Sequence, residues 1–81
     1  MDIVNFVEYL VKNIVKEPDM VSVKRFEDEE DTIIIEVMVS EDDMGAVIGR
    51  GGTTANAIRT LSQLSAYQNE LPKVKINFDS F

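Results

Sequence analysis

Residues 47–58 of this 81-residue chain read Val47-Ile48-Gly49-Arg50-Gly51-Gly52-Thr53-Thr54-Ala55-Asn56-Ala57-Ile58, and they are the stretch whose residue types could do chemistry. Three glycines let the backbone turn sharply and let another backbone come close where a Cβ would block it. An apolar segment ends at Ile48 and a second begins after Gly52, so first-turn N–H groups of the second segment face whatever nears the loop. Arg50 adds a permanent cation whose planar fork suits phosphate oxygens. The combination fits a sugar-phosphate backbone held by shape and charge. No P-loop lysine–serine pair is present, and a dinucleotide fingerprint lacks its third glycine because position 54 is Thr54. Support for nucleoside triphosphate or NAD binding is therefore weak.

The inventory elsewhere removes most other chemistry. There is no cysteine and no histidine, which excludes thiol nucleophiles, cysteine-ligated zinc, histidine-based triads and H-E-x-x-H zinc sites. Serines and threonines remain, but only scattered carboxylates could activate them, so no enzyme, cofactor, metal or small-molecule substrate is expected. The net charge of −7 argues at first against nucleic acid. Divided, it reads differently: residues 1–43 hold thirteen acids and four bases, while residues 44–81 hold two acids and four bases, Arg50, Arg59, Lys73 and Lys75. An anionic ligand should touch that second half. Composition, at 44% hydrophobic and 28% charged, is globular. No apolar run approaches the ~20 residues of a membrane span, and the N-terminus lacks the order of a signal peptide. One cytoplasmic domain over residues 1–81, without membrane insertion, is expected.

Six elements must position the loop. Ile3, Val7, Leu10 and Ile14, widened by Phe6, Val11 and Val15, predict a buried-face helix over 2–16. Asp2 caps its start, Glu8 precedes Lys12 by four, Lys16 complements its end and Pro18 stops it. Strands follow at 20–26 and 32–39. In the second, Ile33, Ile35, Val37 and Val39 alternate with Ile34, Glu36 and Met38. Five consecutive acids at 27–31 make a solvated hairpin loop; they lack the D-x-D-x-D-G spacing of a calcium site. Ser40 and Asp43 resemble a capping box for a short helix carrying Met44, Val47 and Ile48. The helix after the glycines runs to about Tyr67, burying Ala57, Ile58, Leu61 and Leu64 with Asn56, Arg59 and Gln63 outward. Strand 73–79 alternates Val74, Ile76 and Phe78 with Lys73, Lys75 and Asn77. Phe6, Phe26 and Phe78 all fall at core positions, so aromatic stacking on bases is unsupported. The order is α-β-β-α-α-β: an α+β fold, one three-stranded sheet with the helices on one face.

Ile48-Gly49-Arg50-Gly51-Gly52, with Ile58 six residues on, resembles the I-G-x-x-G signature of the KH domain, whose GXXG loop clamps about four nucleotides of single-stranded RNA. The element order is similar to that of the type II KH fold. The resemblance covers the whole chain, which looks like the small stand-alone bacterial KH proteins of KhpA type. It implies an RNA-binding protein and RNA chaperone, with Ile48, Gly49, Arg50, Gly51, Gly52, Thr53, Thr54, Asn56 and Arg59 in the RNA-binding set. It also implies a second, larger Jag-type KH protein as partner and a part in cell elongation and envelope synthesis. Thr53 and Asn56 depart from the family pattern, which has cations there. Each missing phosphate contact predicts weaker, less salt-dependent binding than in basic relatives. A homodimer would offset that by joining two grooves. Its seam is expected on the second motif helix, at Leu61 and Leu64 with Leu71 just beyond, rimmed by Ser62, Gln63 and Tyr67. The alternative is a protein-interaction module that uses the KH fold as a dimerisation scaffold, with little RNA affinity of its own.

Overall fold

Asp2 accepts a hydrogen bond from the Asn5 backbone N–H at 2.8 Å, and this cap starts helix α1, Ile3–Lys12, in the computed structural model, which describes residues 2–81. Ile3, Val7 and Val11, four residues apart, are fully buried, and Lys12 pairs with Glu8 at 3.0 Å. The helix stops four residues short of the expected end. Asn13 turns its side-chain amide onto the Tyr9 carbonyl at 2.7 Å, Ile14 and Val15 both donate to the Val11 carbonyl at 3.0 and 3.2 Å, and the N–H groups after them leave for another acceptor. Lys16 and Glu17 donate their N–H groups to the Asp43 carboxylate at 2.9 and 3.1 Å. Ile14 is consequently exposed and Leu10 only half-buried, whereas both were expected in the core.

A single turn at Pro18–Met20 leads into strand β1, Ser22–Glu27, which pairs antiparallel with β2, Ile33–Val39. The acidic residues between them form the expected hairpin loop. Asp28 Oδ1 accepts the backbone N–H groups of Glu30 and Thr32, both at 2.9 Å. β2 is central: Ile33, Ile35, Val37 and Val39 are buried beneath the helices, and Ile34, Glu36 and Met38 are half-buried on the other face. Strand β3, Val74–Ser80, pairs parallel with β2, giving the mixed order β1-β2-β3. Phe26 corrects one expectation: it pairs with Ile34 on the open face and is 51% exposed, outside the core.

Ser40 and Asp43 do not form the expected capping box. Ser40 Oγ donates to Asp43 Oδ2 at 3.1 Å, and Asp43 spends its remaining acceptors on Lys16 and Glu17. Asp43 is a buried staple joining the chain after α1 to the corner after β2, and those backbone donors hold its carboxyl below the ordinary 3.8. Helix α2, Met44–Ile48, and helix α3, Thr53–Gln68, complete the α-β-β-α-α-β order, with Val47 and Ile58 in the core. α3 presents a different face from the one predicted. Ala55, Ile58, Ser62 and Ala66 point inward, because small side chains let the helix sit close to its neighbours. Ala57, Leu61 and Leu64 face out. Ser62, expected on a rim, is buried with its hydroxyl donating to the Ile58 carbonyl at 2.7 Å, and Leu71 packs on the core.

Candidate nucleic-acid interface

The loop is built by three left-handed backbone positions in four residues, Gly49, Gly51 and Gly52 at φ 76°, 61° and 82°. Gly49 ends α2, donating its N–H to the Gly45 carbonyl at 2.9 Å, and its own carbonyl accepts from Gly52 N at 3.2 Å. A Cβ at position 49 would lie 2.8 Å from the Thr54 backbone nitrogen, so only glycine lets α2 and α3 meet this closely. A Cβ at Gly51 would meet only open space. The crest is thus clear for an incoming backbone.

Gly52 occupies the N-cap position of α3 and offers no side-chain cap, and the Thr53 N–H donates to the Arg50 carbonyl. Thr53 cannot fill that role, because its hydroxyl donates to the Arg50 carbonyl at 2.9 Å. The Thr53 hydroxyl thus braces the loop. Arg50 is exposed and forms no ion pair among the described residues. A helix N-terminus without a side-chain cap, a glycine crest open at Gly51 and an exposed guanidinium are therefore brought together within five residues. Their common chemistry is anion binding by backbone and charge. Ile48 and Thr54 are half-buried at its base, and Asn56 is exposed one turn further on.

Arg59 is placed differently from Arg50. Its Nε and Nη2 donate to the Ile76 carbonyl at 3.3 and 3.2 Å, its Nη1 donates to Asn56 Oδ1 at 3.3 Å, and it lies over the Phe78 ring. Gln63, expected outward, is half-buried and accepts the Val74 N–H at 3.1 Å. These two side chains cover the free edge of β3. Phe78 is the neighbour that sequence reasoning missed. The alternation in β3 already put it on the helix side, and a cation on α3 above that strand end was the available signal.

Because Gln63 meets Val74 and Arg59 meets Ile76, α3 runs opposite to β3 and the glycine loop lies toward Ser80. The acidic loop, at the start of β2, sits at the other end of the sheet, roughly 20 Å away for a seven-residue strand. A shallow cavity of about 390 Å³ lined by Arg25, Glu27, Asp31, Ile33, Leu71 and Pro72 lies at that distant end too. This is beyond a Debye length at physiological salt, so the densest negative charge does not oppose an anion at the loop.

Three helices on one face of a three-stranded mixed sheet, with a glycine loop joining α2 to α3, define a KH domain of the type II order. A family profile described as KhpA/KhpB, KH domain, matches residues 4–78, and the chain belongs to that family. It is 39% identical over 67 residues to the RNA-binding protein KhpA of Chlamydia caviae, covering 83% of this chain and 85% of the relative. It is 49% identical over 59 residues to RNA-binding protein KhpA of Mycobacterium bovis, covering 73% of this chain and 72% of the relative. Among solved structures, Era of Aquifex aeolicus bound to GDP and aluminium fluoride superposes with a TM-score of 0.72 at 15% identity. That match covers 98% of this chain and 30% of Era. A second Era structure, holding MgGDPNP and a segment of 16S ribosomal RNA, gives a TM-score of 0.68 at 16% identity, covering 96% of this chain and 29% of Era. The family is not one of enzymes.

Proposed function

We propose that this chain binds single-stranded RNA, gripping the sugar-phosphate backbone with Gly49–Gly52 and Arg50 while Ile48, Thr54 and Asn56 border the strand. The observation that carries this reading is the loop itself, a helix N-terminus without a side-chain cap behind a glycine crest that is open at Gly51. The relatives' names point the same way, since both are RNA-binding proteins. With one exposed cation on the loop, contact is short and affinity modest, as suits an RNA chaperone that must release what it holds.

The chain acts as a homodimer through the outer face of α3. Leu61, Leu64 and Tyr67 are 45%, 55% and 66% exposed on a sixteen-residue helix whose only charge is Arg59. Such a stripe favours a protein partner over water. The same face could take a second KH protein of the Jag type, as the resemblance implies, in cytoplasmic control of cell elongation and envelope synthesis. Each copy contributes one KH domain to that dimer. Crosslinking to cellular RNA followed by sequencing tests the reading, run beside an Arg50→Asp, Gly51→Asp double variant. Reads should be recovered with the wild type and be lost with the variant; equal recovery would place the RNA elsewhere.

A further inference from the structure

The guanidinium of Arg59 is fixed along its edges and open on one face. Three of its nitrogens donate inward, Nε and Nη2 to the Ile76 carbonyl and Nη1 to Asn56 Oδ1, at 3.2–3.3 Å. One face lies over the Phe78 ring, with Cζ 5.3 Å from the ring centroid. The residue is nevertheless exposed, so the opposite face meets solvent. A cation recruited for phosphate turns its fork of N–H groups toward the ligand. Here the fork is turned onto β3 and α3, and what remains outward is a flat surface held in one orientation. Planar guanidinium groups of this kind stack unpaired nucleobases.

Position supports the same use. Arg59 follows Thr53 by six residues, about 9 Å along the helix axis, within reach of the roughly four nucleotides that such a loop holds. Asn56 borders the plane. Its Oδ1 is taken by Arg59, while its Nδ2 makes no hydrogen bond among the described residues and can donate to an acceptor on a base edge. We propose that Arg59 is a stacking platform for one nucleobase, backed by Phe78, and that it contacts no phosphate. This rests on the RNA-binding reading of the loop. It gives the missing aromatic surface a substitute: the chain reads a base with an arginine plane stiffened by a phenylalanine beneath it.

The test compares wild type with Arg59→Lys, which keeps the charge and loses the plane. Two labelled probes are titrated over a range of salt: an RNA octamer of mixed sequence, and the same ribose-phosphate backbone with a tetrahydrofuran in place of every base. Arg59→Lys should weaken the base-bearing octamer at least about fivefold, the lower end of what one stacked base contributes. Affinity for the abasic backbone and the dependence of log K on log salt should stay as in wild type. In Arg59→Gln, which removes the charge as well, a slope reduced by about 0.7, the signature of one lost phosphate contact on a single strand, would overturn the proposal. So would equal weakening of both probes. Arg59→Gln, without the guanidinium, also replaces the lysine variant in the octamer comparison if that one melts early, and failure of both to fold would make Arg59 a structural clamp and end the proposal. Wild type binding neither probe would instead overturn the loop reading on which this one stands.

Discussion

Two alanine substitutions two residues apart should differ sharply, although each replaces a loop glycine of positive φ. Gly49 has φ 76° and ψ 174°, a region occupied almost only by glycine, which costs a residue with a Cβ about 1–3 kcal/mol. The new Cβ would also stand 2.8 Å from the Thr54 Cβ and backbone nitrogen, and against its Oγ1. Since one of those atoms is backbone, α3 itself must move, and overpacking of that kind costs about 1–3 kcal/mol more. The total for Gly49→Ala is about 2–6 kcal/mol. Gly51, at φ 61° and ψ 20°, is in the left-handed helical region and faces open space, so Gly51→Ala costs only about 1–2 kcal/mol. Both substitutions reduce the freedom of the unfolded chain equally, so that gain cancels in the comparison. A chain this size has about 4–12 kcal/mol in all, and 1 kcal/mol moves its melting temperature by about 4–8 °C. Gly49→Ala should therefore fall by roughly 8–48 °C or fail to fold, and Gly51→Ala by roughly 4–16 °C. Thermal melts followed by circular dichroism read both. A Gly49→Ala protein melting with or above Gly51→Ala would refute the close approach of α2 and α3.

Asp43 should contribute to acid sensitivity. The Lys16 backbone N–H, then that of Glu17 and the Ser40 hydroxyl, lower its pKa in the fold, so its stabilisation is complete above the ordinary carboxylate value and is lost as pH falls through the lower folded value. Melts from pH 6 to pH 2 should show Asp43→Asn less stable at the upper end, with the gap to wild type closing toward the lower; a constant gap would contradict this. Leu61→Lys should convert a micromolar dimer to monomer in sedimentation without lowering the melting temperature, because position 61 is exposed in the single chain. A monomeric wild type would end the homodimer proposal, and a variant that remains dimeric would move the seam off this face.

Much of this architecture was legible because its signals are local. Alternation from Ile33 to Val39, the Asp2 cap and the stop at the glycines each follow from a few neighbouring residues. The failures came from contacts distant in sequence. Nothing near Ile14 says that Asp43, 27 residues beyond Lys16, will draw the chain out of its helix. The α3 face was misjudged because the large residues Leu61 and Leu64 outweighed Ala55, Ser62 and Ala66, whose small size is what permits close packing. At the candidate site, the glycines and Arg50 stood out by type and spacing alone. The different posture of Arg59 did not, since it depends on the Ile76 carbonyl and the Phe78 ring of a strand that pairs only in the fold.

The central claim is that the glycine loop holds an RNA backbone, and equilibrium binding of a labelled single-stranded RNA octamer tests it most directly. Arg50→Asp with Gly51→Asp removes the loop's cation and sets two carboxylates on the crest. Aspartate tolerates the left-handed backbone at position 51, where the space is open, so the fold survives. Wild type should bind with an affinity that falls as salt rises, and the double variant, still melting cooperatively, should not bind measurably. A folded double variant that binds the octamer as tightly as wild type would contradict the account.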